Sequence, residues 1–129
     1  MRFAVPLQQV EFEIPDLWWV ESGALRFVRR ADAFDATSDP AWPTAVVRAE
    51  GVIAPKRDAG VVGLIEERAR SILQAIVSGQ PLPPLEVHPL PLSNLLAVRD
   101  GFHRYYLSVA LGFPALPVSI RPYFDINEI

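Results

Sequence analysis

The sequence predicts an α/β (α+β) fold: a small mixed sheet carrying two main helices, preceded by a β-rich N-terminal extension. Two observations predict it. Between Ile65 and Ile120 the hydrophobic pattern changes from helical spacing to short strands, returns to helical spacing, and closes on a strand. Thirteen prolines punctuate the 129 residues into short elements. We expect one domain over 1–129, with a β-rich extension at 1–50, a core at 51–121 and a tail at 122–129.

Taken in order, Val10-Glu11-Phe12-Glu13-Ile14 alternates apolar and charged residues, as a half-buried strand does. Leu17–Val20 and Leu25–Arg29 flank Glu21-Ser22-Gly23-Ala24, which reads as a hairpin turn; this hairpin is expected to extend the sheet. In a strand, Trp18 and Trp19 point to opposite faces. Residues 35–43 read as a loop and Ala45–Arg48 as a strand. Ile65, Ala69, Ile72 and Ile76 then form a helical stripe opposite Glu66, Glu67, Arg70 and Gln74, and Gly79 suits a left-handed helix end. Leu85–His88 is a strand that stops at Pro89, and Leu95–Arg99 is another. A nearly all-apolar helix starts at Phe102 or His103 and ends at Gly112-Phe113-Pro114. Leu116–Ile120 is the closing strand, where Pro117 suggests an edge or a strand start.

Composition narrows the chemistry. The sequence has no cysteine, which removes disulfides, thiolate catalysis and thiolate metal sites. Its two histidines, His88 and His103, have no zinc-ligand spacing, so neither zinc nor haem is expected. The formal net charge of −3 argues against a surface built chiefly to coat DNA, while leaving room for a local basic patch. No apolar run reaches the roughly 18 residues of a membrane helix, and the first residues do not form a signal peptide. A cytoplasmic location and no membrane partner are expected.

One turn concentrates binding chemistry. Strand Leu95–Arg99 runs through Asp100-Gly101 directly into a helix. Glycine there allows close backbone approach, the helix start favours an anion, and Arg104 in the first turn can grip phosphate or carboxylate. An equal alternative pairs Arg104 with Asp100 or Asp125.

The segment from about Ile53 to Ile120 resembles the ParB/sulfiredoxin superfamily. The resemblance rests on four elements in order: Ala75–Gln80 ending a helix, Pro83-Pro84-Leu85-Glu86-Val87, Asp100-Gly101-Phe102-His103-Arg104-Tyr105, and Gly112–Val118. It implies that Gly101, His103 and Arg104 hold the phosphates of a nucleotide or other phosphate-bearing small molecule. It also implies that the preceding helix contributes Arg68 and Ser71, with Ala75 where relatives carry a second hydroxyl. Phe102 stands where sulfiredoxins have their cysteine, so sulfinic acid reduction is not expected. Phe102 is expected instead to pack on the Tyr106, Val109, Phe113 stripe.

The function expected is therefore nucleotide or phosphate binding, with NTP hydrolysis or phosphoryl transfer left open and no catalytic base named. Asp100 is the carboxylate best placed for magnesium. The alternative is a non-enzymatic ParB-like module associated with DNA or protein, and a homo-oligomer is compatible with either. Arg57 and Asp58 are lesser candidates, with Asp58 read as a helix cap. Glu86 and His88 share a strand face directed to solvent, and Tyr123 and Phe124 are candidate docking residues.

Overall fold

A computed structural model describes residues 1–56 and 63–122. Arg57, Asp58 and the stretch from Tyr123 onward lie outside the described residues. The chain starts with β1 (Arg2–Ala4) antiparallel to β2 (Glu11–Glu13), Phe3 facing Phe12. Charged residues flank the buried Phe12 as the alternation predicted.

Pro15 and Asp16 then open a helix, α1 (Asp16–Glu21), followed by a single 3-10 turn at Ala24–Arg26. The expected hairpin is thus absent from this stretch: Leu17–Val20 is helical and Gly23 is its left-handed exit, with φ of 85°. Trp19 is buried and Trp18 half-buried on the same short helix. A run of four apolar residues fits a strand or a helix equally, and the helix-starting signal at Pro15-Asp16 decides. Packing against the next helix adds to it, since Arg70 reaches Glu21 at 3.1 Å.

The remaining strands are β3 (Thr44–Arg48), β4 (Val52–Ile53), β5 (Leu85–Pro89), β6 (Leu96–Asp100) and β7 (Ala115–Ile120). They form one mixed sheet in the order β3-β7-β5-β6-β4. β3–β7 and β5–β6 are antiparallel, whereas β5–β7 and β4–β6 are parallel. The β1–β2 pair does not extend this sheet, contrary to expectation; it is a separate two-stranded unit. The two meet through a side chain: the Gln8 amide donates to the Val52 carbonyl at 3.0 Å and accepts the Ala54 N–H at 2.9 Å. One glutamine thereby occupies backbone groups at β4, where another strand would otherwise pair.

β7 is internal, so Pro117 marks neither an edge nor a strand start. The register explains why this is tolerated. The Ile120 N–H points to the β3 side and bonds Pro43, and alternation turns the Pro117 nitrogen toward β5. Pairing with β5 begins only at Val118, so no ladder bond is missing.

Two further helices complete the fold: α2 (Glu66–Val77) and α3 (Phe102–Ala110). Both end as the sequence predicts, at Gly79 (φ 79°) and Gly112 (φ 89°). α2 buries Ala69, Leu73, Ala75 and Ile76. α3 buries Tyr105, Tyr106, Leu107 and even Ser108, leaving little polar surface. With Leu85, Val87, Leu116, Val118 and the N-terminal Phe12, Ile14 and Trp19 they form one apolar cluster. Among the described residues no helix is long and apolar enough to cross a membrane.

Candidate functional site

β6 delivers the chain into α3 through Gly101, and that glycine is required by geometry. Its φ is 123°, and a Cβ there would lie 2.9 Å from Leu85 Cγ. Leu85 is fully buried at the start of β5. The close packing brings the first turn of α3 against the β5 strand and fixes what that turn presents.

Arg104 is presented in an unusual state. Its side chain is only 15 % exposed, and Nη2 is 3.8 Å from Asp100 Oδ2. The same nitrogen makes a long 3.5 Å hydrogen bond to the Pro84 carbonyl. Nε is buried and has no hydrogen-bond partner among the described residues. Burial pushes the Arg104 pKa down, opposed by Asp100 and Glu86. A guanidinium offers five donors, and here most of them meet no strong acceptor. The alternative partner Asp100 is thus present, but at the limit of ion-pair distance and with its own side chain 70 % exposed.

His103 is buried, and its Nε2 accepts the Ile65 N–H at 2.9 Å. An accepting nitrogen carries no proton, so this contact holds α3 to the residue preceding α2 and uses the imidazole as an acceptor. Phe102 is half-buried and packs edge-on against Tyr106, with ring centroids 5.0 Å apart. It therefore both packs and forms a wall.

Arg68, Asp100, Gly101, His103 and Arg104 come together around one cavity of about 290 Å³. Ile72, Val98 and Phe102 supply its apolar wall. Ser71, the other residue expected there, is exposed on α2 and outside this lining. Ala75 is buried in the core. Lys56 and Arg99 also line the cavity and were not anticipated. Lys56 is carried there by β4, whose exit is held by the Gln8 amide and by Tyr106, which donates its hydroxyl proton to the Pro55 carbonyl. Burial pushes the Tyr106 phenol up to about 12, so it remains a donor. Arg99 directly precedes the turn, a position strand alternation alone would send to the other face. Its charge is felt there, helping burial to lower the His88 pKa.

The cavity is thus bordered by Lys56, Arg68, Arg99 and Arg104 and by one carboxylate, Asp100, in a chain whose formal net charge is −3. Among the described residues no group of three His, Asp or Glu side chains gathers to hold a metal ion. Glu86 and His88 are half-buried, not solvent-facing as expected. Glu86 accepts from Arg121 at 2.8 Å, and Arg121 also reaches Asp39 at 3.6 Å. This network clamps the loop before β3 to the sheet.

No family model and no curated protein matches the sequence. Solved structures do match. Over 63% of this chain and 86% of the other, the fold is similar to sulfiredoxin from Arabidopsis thaliana, with a TM-score of 0.50 and 17% identity. It is similar to the C-terminally truncated chromosome-partitioning protein ParB from Caulobacter crescentus complexed with CTP-gamma-S, with a TM-score of 0.50 and 19% identity. That match covers 65% of this chain and 47% of ParB. It is also similar to a free serine kinase mutant in complex with AMP, with a TM-score of 0.53 and 18% identity, over 76% of this chain and 37% of the kinase. The chain thus spans less than half the length of the ParB and kinase structures. Together with the mixed sheet and the Gly101–Arg104 turn, these likenesses show that the chain has the ParB/sulfiredoxin-type fold.

Proposed function

We propose that the cavity at Gly101–Arg104 binds the phosphate groups of a nucleotide or another phosphate-bearing small molecule. The observation that carries this is Arg104, a largely buried guanidinium whose Nε has no partner, and whose Nη2 has only long contacts, among the described residues. Burying a charge without good acceptors is costly, and a bound anion relieves that cost. Lys56 and Arg68 add charge around the cavity, and the α3 start adds its dipole. At about 290 Å³ the cavity is at the lower edge of the roughly 300–1,000 Å³ of small-molecule sites. It suits a phosphate group with the remainder of the ligand crossing the rim. The nucleotides bound in the ParB and kinase structures support the same reading.

Asp100 is a single carboxylate and does not form a metal site by itself. It fits only the mode in which magnesium is held by one carboxylate together with ligand phosphates. In this reading Arg104 neutralises phosphate charge, Gly101 permits close approach, and His103 sets the spacing of α3 and α2. Phosphoryl transfer or hydrolysis is a separate question, answered by phosphate release.

Calorimetric titration with inorganic phosphate, AMP, ADP, ATP and CTP, each with and without magnesium, tests the reading. Arg104→Ala should weaken binding by about 1.5–3 kcal/mol, roughly 10- to 150-fold, if a charge-assisted contact is lost. Equal affinity of the variant and the parent would move the site elsewhere.

A further inference from the structure

A second and larger depression, about 710 Å³, lies between the segment Gly23–Asp35 and the C-terminal end of α2. Its floor is apolar: Phe34 is 5% exposed, and Ile76 and Phe113 are 6% exposed. Phe27, half-buried, leans on Phe113 with ring centroids 5.8 Å apart. At its edge the turn at Gly23 approaches α2 closely, and an added Cβ there would lie 3.3 Å from Val77 Cγ1.

The rim is cationic. Arg26 and Arg30 both line the depression, against one carboxylate, Asp35. Neighbouring Arg29 is paired with Asp32 at 3.2 Å. Arg26 and Arg30 make no ion pair or side-chain hydrogen bond among the described residues. Two arginines without a partner among the described residues, on the rim of an apolar floor, are matched by an acidic ligand.

The apolar surface continues past the cavity. Val28 on its rim is 79% exposed, and Leu25, the neighbour of rim residue Arg26 in sequence, is 66% exposed. A small molecule seated on the phenylalanine floor would leave both in water, whereas a chain crossing the rim covers them. We propose that this groove docks a short peptide segment of a different protein, one that combines an aromatic or aliphatic anchor with acidic residues. The anchor sits on Phe27, Phe34 and Phe113, and the acids pair with Arg26 and Arg30. This surface does not depend on the phosphate site.

A displayed library of random peptides, selected on the full chain and counter-selected on Arg26→Glu/Arg30→Glu, tests the proposal. Both positions are exposed, and matched thermal melts establish that the variant is folded. Enriched peptides should carry an acid next to an aromatic or aliphatic residue. A labelled synthetic copy should lose about tenfold or more in affinity per reversed arginine, as close charge pairs do. Lysine in place of the peptide acids should restore binding to the Glu variant. No enrichment, enrichment without acids, or binding indifferent to the arginines would overturn the proposal. So would sedimentation showing that the chain self-associates and that Arg26→Glu abolishes it, because the occupant would then be a second copy.

Discussion

Gly101→Ala adds one methyl group at the point where β6 becomes α3, and its cost divides into two parts. The backbone part comes from φ of 123°, outside the region L side chains adopt easily, and amounts to about 1–3 kcal/mol. The packing part comes from Leu85, whose Cγ and Cβ would be 2.9 and 3.3 Å away. Leu85 is fully buried and cannot move aside, so overpacking adds about 1–3 kcal/mol. The sum is about 2–6 kcal/mol. Gly112→Ala is the control, because its φ of 89° is also left-handed but nothing lies within 4 Å of the added atom. Its cost should be about 1–2 kcal/mol, from the backbone alone. Urea unfolding followed by circular dichroism, with equal slopes, gives both values. Since the new methyl would also lie 3.2 Å from Arg104 Nη2, phosphate affinity should fall for Gly101→Ala and hold for Gly112→Ala. A Gly101→Ala protein no less stable than Gly112→Ala would refute the close-packing argument.

Phe102→Ala should cost about 1.5–3 kcal/mol, less than a core phenylalanine, because the ring is half-buried against Tyr106. An unchanged denaturation midpoint with altered ligand affinity would make Phe102 a ligand contact with no packing role. Ser108→Ala should leave the melting temperature unchanged or raise it, since its buried hydroxyl has no partner among the described residues; a loss above about 1 kcal/mol would reveal a hydrogen bond there. His88 sets a pH window. Burial, aided by Arg99, lowers its pKa from 6.5, so below 6.5 the unfolded chain binds more protons than the folded one. Its contribution is complete above pH 6.5 and lost as pH falls through the folded value. Asp39, lowered from 3.8 chiefly by its Ser119 hydrogen bond, acts only in a more acidic window. Melting curves for His88→Gln should therefore be flatter just below pH 6.5, and an identical profile to the parent would remove His88 as the cause.

The second half of the fold was legible because its signals are local and agree with one another. Gly79 and Gly112 end helices where helical spacing ends, and Pro89 stops β5. The glycine turn at β6–α3 pointed to Gly101 and Arg104, the family resemblance added Arg68, and the three line one cavity. Lys56 was not legible, because its place depends on Gln8 and Tyr106, residues 48 before and 50 after it in sequence. Ser71 is the reverse case. It is one turn from Arg68 on α2, yet helix rotation leaves it exposed beyond the cavity wall. The first half was harder because Leu17–Val20 has no period, so its helical state rests on the start at Pro15-Asp16 together with packing on α2. Pro117 misled for a related reason: only the register of two neighbouring strands shows that its missing N–H is not needed.

Helix α2 touches both depressions. Arg68 and Ile72 line the cavity at Gly101–Arg104, and one turn later Ile76 and Val77 line the groove. Twelve helical residues form a rod about 18 Å long, held by its own backbone hydrogen bonds. An occupant that tilts α2 as a rigid body at the groove would change the width of the cavity as well. Any resulting factor in phosphate affinity returns unchanged as the factor by which phosphate alters peptide affinity, because coupling free energy is shared by the two sites. The helix would then act as a lever between a metabolite and a partner protein, with neither ligand touching the other.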